Sequence, residues 1–207
     1  MKNALIIFSR TPVIGKCKTR LAKMIGPAMA LEVYEHLLSN CARVTKDLKM
    51  DKFVFYSEQI NSQDVWDNAF FFKSNQEGTS LGDRMENAFI SLFNKGYQRI
   101  VIIGTDIPDL NSKHILKAFD ALRNHDYVIG PSIDGGYYLL GMKSINHCLF
   151  RNKKWGESTV LEETILNIKN QNLHLLEKLN DIDTFEDLKQ HKTLFELFKP
   201  SIKHEIP

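Results

Sequence analysis

Apolar and polar positions along the chain alternate between two periods. Short runs with strand character cover Ala4–Ser9, Lys52–Ser57, Ala69–Lys73, Ile100–Gly104, Tyr127–Gly130, Tyr137–Gly141 and, more weakly, His174–Glu177. Between them, helical periodicity marks Ala28–Asp47, Leu81–Asn94, Ser112–Arg123, Thr159–Asn170 and Thr184–Leu197. Thr159-Val-Leu-Glu162 and Thr184-Phe-Glu-Asp187 have the hydroxyl-to-acid spacing of capping boxes. Ala4–Phe8 and Ile100–Gly104 are apolar throughout, as expected of strands covered on both faces. The alternation predicts an α/β fold, a three-layer α/β/α sandwich around a mostly parallel sheet. A short glycine-containing loop between Tyr127–Gly130 and Tyr137–Gly141 predicts one antiparallel departure, which makes the sheet mixed. In such folds ligands bind outside the carboxyl ends of the strands.

The 207 residues contain no linker-like or low-complexity stretch, so a single domain over 1–207 is expected. Cys17, Cys41 and Cys148 are odd in number and widely spaced, which excludes a disulfide framework and a cysteine zinc site and points to a reducing, cytoplasmic setting. Apolar runs are too short for a membrane span. Net charge is +2, but it is unevenly spread. Residues 1–31 carry six bases and no acid, while the remainder is net negative by four. A nucleic-acid surface would need a broad basic face, which is absent. A small polyanion suits one local patch better.

Four segments carry candidate chemistry. Arg10-Thr-Pro-Val-Ile-Gly-Lys-Cys-Lys-Thr-Arg20 follows the first strand with Gly15 and four cations, Arg10, Lys16, Lys18 and Arg20. Guanidinium forks and ammonium groups at that edge suit phosphates, and a solvated basic loop would have the same composition. It matches neither a Walker A loop nor Gly-x-Gly-x-x-Gly. Gly104-Thr-Asp106-Ile-Pro108-Asp109 brings carboxylates to the same edge, where Mg2+ could join phosphate oxygens or where Asp106 could simply structure a turn. Asp134-Gly135-Gly136 could receive a ligand or make a tight hairpin. Asp181-Ile-Asp183 precedes a capped helix, so its acids serve either a metal or the helix dipole. No nucleophile elbow or Cys/His pairing stands out.

Taken in order, Gly15-Lys-Cys-Lys-Thr-Arg-Leu21, Gly104-Thr-Asp-Ile-Pro108, Asp134-Gly-Gly-Tyr-Tyr138 and Asp181-Ile-Asp-Thr-Phe-Glu-Asp187 resemble the nucleotide-diphospho-sugar transferase superfamily. This is the Rossmann-like GT-A fold. More closely, the chain resembles bacterial glycosyltransferase-like proteins related to 2-phospho-L-lactate guanylyltransferase and molybdenum cofactor guanylyltransferase, over about residues 3–195. The resemblance implies a metal-dependent transferase with a nucleotide donor. It assigns Arg10, Gly15, Lys16, Lys18, Arg20, Gln76, Gly82 and Asp106 to the nucleotide, and Asp106 and Asp183 to Mg2+ or Mn2+. Asp134, Gly135, Gly136 and Glu157 fall to the acceptor, with Lys16, Arg20, Asp106 and Asp134 as catalytic groups. Trp155-Gly156-Glu157 departs from the Trp-Ser-Thr of the family. The dense cations favour nucleotidyl transfer from a nucleoside triphosphate to a small, phosphorylated acceptor. Glycosyl transfer from a nucleotide sugar is the alternative, followed by nucleotide binding without turnover. Neither nucleic acid nor membrane is an expected partner, and oligomeric state is left open.

Overall fold

A computed structural model describes residues 1–61, 63–168 and 171–202. Its sheet has seven strands: β1 (Asn3–Ser9), β2 (Asp51–Tyr56), β3 (Phe72–Asn75), β4 (Arg99–Ile103), β5 (Tyr127–Pro131), β6 (Tyr137–Met142) and β7 (Leu173–Leu175), in the order β3-β2-β1-β4-β6-β5-β7. Pairings are parallel except around β6, which runs antiparallel to both β4 and β5. The mixed sheet and its single hairpin therefore match the expectation.

The all-apolar run of β1 lies inside the sheet, with β2 on one side and the central strand β4 on the other. Its odd positions Leu5 and Ile7 pack beneath helices α2 (Pro27–Thr45) and α4 (Ser112–Ala121), and its even positions Ala4 and Ile6 beneath α3 (Leu81–Asn94). Alternating side chains thus serve two cores, which is why no polar face interrupts the run. A third core joins α1 (Thr19–Ile25) and the far side of α2 to α6 (Phe185–Gln190) and α7 (Lys192–Ile202) through Leu21, Ile25, Val33, Leu37, Leu188 and Phe198. Between β6 and β7 lie a 3-10 turn, His147–Leu149, and helix α5 (Val160–Asn167).

Local departures have physical causes. Thr184 and Asp187 form the expected capping box, but Thr159 sits in helical backbone and its hydroxyl donates to Glu163 Oε1 instead of capping α5. Ser80 with Asp83 and Asn111 with His114 cap α3 and α4 in the reciprocal way. The helix expected over Thr184–Leu197 is two helices. At His191 the chain turns to ψ 80°, and its Nδ1 accepts from Leu194 N–H at 3.1 Å to start α7. β3 begins at Phe72 rather than Ala69, because Phe71 is buried against Trp66 in the preceding turn. Residues 169 and 170, the end of the expected Thr159–Asn170 helix, lie outside the described residues.

Candidate functional site

Parallel register brings the carboxyl ends of β1, β2 and β4 level: Ile7 pairs with Val54 and with Ile103. The chain leaving each strand opens a cleft of about 840 Å3, whose lining includes Arg10, Lys18, Arg20, Gln76, Arg84, Asp106 and Asp183. A hollow of about 590 Å3 at the opposite, amino edge includes Lys2, Asp51, Asp120 and Arg123, but there Lys2 faces Asp51 and Arg123 faces Asp120. The carboxyl-edge cleft is the one that gathers the chemistry.

Its floor is built by backbone pairing. Ser57 N–H donates to Ser9 O at 3.0 Å, and Gln76 Nε2 donates to Phe55 O at 2.9 Å, holding its amide between β1 and β2. On the β4 side, Asn40 Nδ2 donates to Pro108 O at 3.0 Å, so helix α2 anchors the loop carrying Asp106. After β7 the chain runs alongside the end of β5, with Ile133 N–H donating to Leu179 O, and then Ile182 N–H donates to Asp106 O at 3.0 Å. That last bond is how Asp183 arrives beside Asp106 despite the sequence distance.

Charge converges on Lys18. Its Nζ is 3.0 Å from Asp106 Oδ2 and 3.9 Å from Asp183 Oδ1, and its side chain is only 6% exposed. Arg20 Nη1 takes Asp183 Oδ2 at 3.0 Å. Burial pushes the Asp106 carboxyl up, but the charge and hydrogen bond of Lys18, aided by Arg10, outweigh it and hold Asp106 below the usual carboxylate value. Asp181 behaves oppositely: burial, and then the negative charges of Asp106 and Asp134, push it up to about 6.

The other expected residues divide. Lys16, 60% exposed, stays at the rim, where it pairs with the cleft-lining Glu58 Oε2 at 3.2 Å, and Gly15 at φ 77° has open space around it, so it serves the turn. Gly82 packs inside: a Cβ there would lie 2.1 Å from Phe150 O. Gly135 is likewise closed by Ser158 O, and Glu157 is exposed. Asp134 Oδ1 accepts from Gly136 N–H at 2.9 Å, which organises the β5–β6 turn. Of the expected acceptor set, Asp134 alone is tied to the acid row, through its charge on Asp181. Thr79 and Arg84 line the cleft within Gln76 to Arg84, the segment that the resemblance lays against the nucleotide base; Tyr34 and Thr105 line it too, and sequence reasoning assigned neither a role. Arg84 follows the Ser80 cap by one turn, a legible signal, whereas Tyr34 reads as an ordinary core position of α2.

The pair Asp106 and Asp183 fits a hard divalent cation, since both carboxylates already share one cationic group. Among the described residues no three His, Cys, Asp or Glu side chains surround one point, so phosphate oxygens or water would complete such a site. No helix among the described residues is long and apolar enough to cross a membrane.

A 2-phospho-L-lactate guanylyltransferase from Methanocaldococcus vulcanius is 27% identical over 146 residues, 69% of this chain and 63% of that protein. The chain thus spans less than two thirds of that relative. A crystal structure from Desulfovibrio desulfuricans G20, provisionally named a nucleotide-diphospho-sugar transferase, is 28% identical with TM-score 0.87, covering 100% of both chains. A cytidylyltransferase structure from Leptospira borgpetersenii, at 17% identity, shares the fold with TM-score 0.61 over 98% of this chain and 96% of its own. Residues 40–157 match the family described as an uncharacterized protein conserved in bacteria, DUF2064. The chain belongs to that family.

Proposed function

We propose that the protein is a transferase that moves a nucleotidyl group from a nucleoside triphosphate to a small acceptor. The observation that carries this reading is the cleft in which Arg10, Lys18, Arg20 and Arg84 face the convergent acids Asp106 and Asp183. The relative named a guanylyltransferase and the fold shared with a cytidylyltransferase support the same class. In nucleotidyl transfer an acceptor oxygen attacks the α-phosphorus, the bond to the β-phosphate bridging oxygen breaks, and pyrophosphate leaves. Arg10, Arg20 and Arg84 would hold the β and γ oxygens and stabilise the departing charge. Gln76, pinned by β-strand carbonyls, would border the base. Asp106 and Asp183 would hold Mg2+, which neutralises phosphate charge when bound. Asp181, between Asp106 and Asp134, would accept the acceptor's proton.

The name of the Desulfovibrio structure favours a second reading, glycosyl transfer from a nucleotide sugar. Four cleft cations are more than a diphosphate beside a divalent metal needs, which is why nucleotidyl transfer is preferred. Incubation with each nucleoside triphosphate, Mg2+ and a panel of phosphorylated small acceptors should release pyrophosphate. Release of nucleoside diphosphate from a nucleotide sugar, without pyrophosphate, would overturn the choice.

A further inference from the structure

The Lys18 ammonium occupies the point where two acids from distant parts of the chain converge. It is 3.0 Å from Asp106 Oδ2 and 3.9 Å from Asp183 Oδ1. Arg20 engages the other Asp183 oxygen, so two carboxylates are balanced by two protein cations. Lys18 itself has φ 48° and ψ 46°, the left-handed region that residues with a Cβ seldom adopt. From that backbone its side chain enters the cleft, while Lys16, two residues earlier, stays at the rim on Glu58.

Resting on the reading of these acids as a Mg2+ site, we infer that Lys18 is a resident counter-ion that excludes a divalent cation until donor phosphate offers its ammonium another partner. A divalent ion and an ammonium on the same two oxygens repel at close range, so one has to leave. Without phosphate the ammonium has no comparable destination: Arg10, Arg20 and Arg84 share the cleft as cations, Glu58 is taken by Lys16, and Asp181, the remaining acid that feels the Lys18 charge, makes no ion pair with it. A triphosphate supplies the missing anion. The flexible lysine stem then carries the charge onto phosphate oxygens and frees the two oxygens it faced, Asp106 Oδ2 and Asp183 Oδ1, while Arg20 keeps Asp183 Oδ2. Metal binding becomes conditional on nucleotide, and by linkage the metal strengthens nucleotide binding by the same factor. Lys18 is thus a positioning residue for the metal as well as a phosphate ligand.

The test uses Mn2+ alone as probe, titrated into the intact 207-residue chain and followed by the spin resonance of free Mn2+. Lys18→Met should bind Mn2+ at least tenfold more tightly than wild type with no nucleotide present, and equal or weaker binding overturns the inference. Adding Asp106→Asn to Lys18→Met should return the affinity to the wild-type level. If the double variant keeps the gain, the acids are not the metal site, and the functional reading falls rather than the gating alone. A second readout needs no variant. In wild type with 15N-labelled lysine, the Lys18 ammonium signal should hold its position with Mg2+ alone and move when Mg2+ and a nucleoside triphosphate are added together. Movement with Mg2+ alone, or in neither condition, overturns the inference.

Discussion

The Tyr34 hydroxyl lies 3.3 Å from Thr105 Oγ1 and also bonds the Arg10 backbone, accepting from its N–H at 2.9 Å. One phenol on helix α2 therefore ties together the chain leaving β1 and the chain leaving β4, directly under the cleft. Burial pushes its pKa up to about 12, so it remains a neutral donor and acceptor. Tyr34→Phe keeps the ring in the core but strands the Arg10 N–H and Thr105 hydroxyl. Urea denaturation should record a loss of about 1–3 kcal/mol, the scale of buried polar groups left unpaired. An unchanged midpoint would mean that the loops re-form their bonds elsewhere.

The cations in and near the cleft should not behave alike. Arg20→Ala and Arg84→Ala are expected to weaken nucleoside triphosphate binding by about 1–3 kcal/mol each, as charge-assisted bonds do. Lys16→Ala should change it by less than about 1 kcal/mol, because Lys16 is exposed and already paired with Glu58. Calorimetry on the three variants separates them, and the reverse ranking would assign the phosphates to the outer loop.

Asp181 gives a pH signature. Its folded pKa of about 6 lies above the ordinary 3.8, so the native state binds a proton more tightly than the unfolded one. Its stabilising contribution is fully present below the unfolded value and is lost as pH rises through about 6. Asp181→Asn removes the charge, and should raise stability at pH 7 by up to roughly 3 kcal/mol while giving little at pH 4. Denaturation curves at the two pH values check it; equal effects at both would assign the change to lost packing.

Behind the cleft wall, Lys73 Nζ and Asp64 Oδ1 pair at 2.8 Å with side chains 9% and 8% exposed, and the Tyr56 hydroxyl donates to the other Asp64 oxygen. Asp64→Ala leaves the buried Lys73 ammonium without its counter-charge, with the Asn61 carbonyl at 3.2 Å still accepting from it. A cost of about 3–5 kcal/mol is expected in equilibrium unfolding. A cost below about 1 kcal/mol would show that water reaches Lys73.

What could be read in advance depended on how local the cause was. Ala4–Phe8 and Ile100–Ile103 announced buried central strands because every side chain there meets one of two cores. Helix α1 was hidden: it is seven residues long, follows a basic loop, and carries Arg20 and Lys23, so that only the Leu21–Ile25 spacing marks a buried face. The break at His191 was hidden for another reason, since an imidazole does the work usually given to a hydroxyl or carboxylate, and its Nε2 also holds Asp109 at 3.1 Å. In the site, Arg10, Arg20, Gln76, Asp106 and Asp183 were legible from type and order. That Lys16 and Lys18 part company was not, because it depends on a backbone angle at Lys18.

The reversal of β6 bears on how such a chain can change over time. Because β5 and β6 form a hairpin, its turn, residues 132–136, opens at the same edge as the loops after β1 and β4 while standing outside the register of β1, β2 and β4. The parallel half is one frame, and the hairpin tip is locked from outside it: Gly135 at φ 92° leaves no room for a Cβ beside Ser158 O, and its carbonyl accepts from Leu161 N–H at 2.9 Å. A change of side chain at this tip is therefore open at the exposed Ile133 and closed at Gly135, so that the hairpin can vary its outer surface without moving its grip on the rest of the fold.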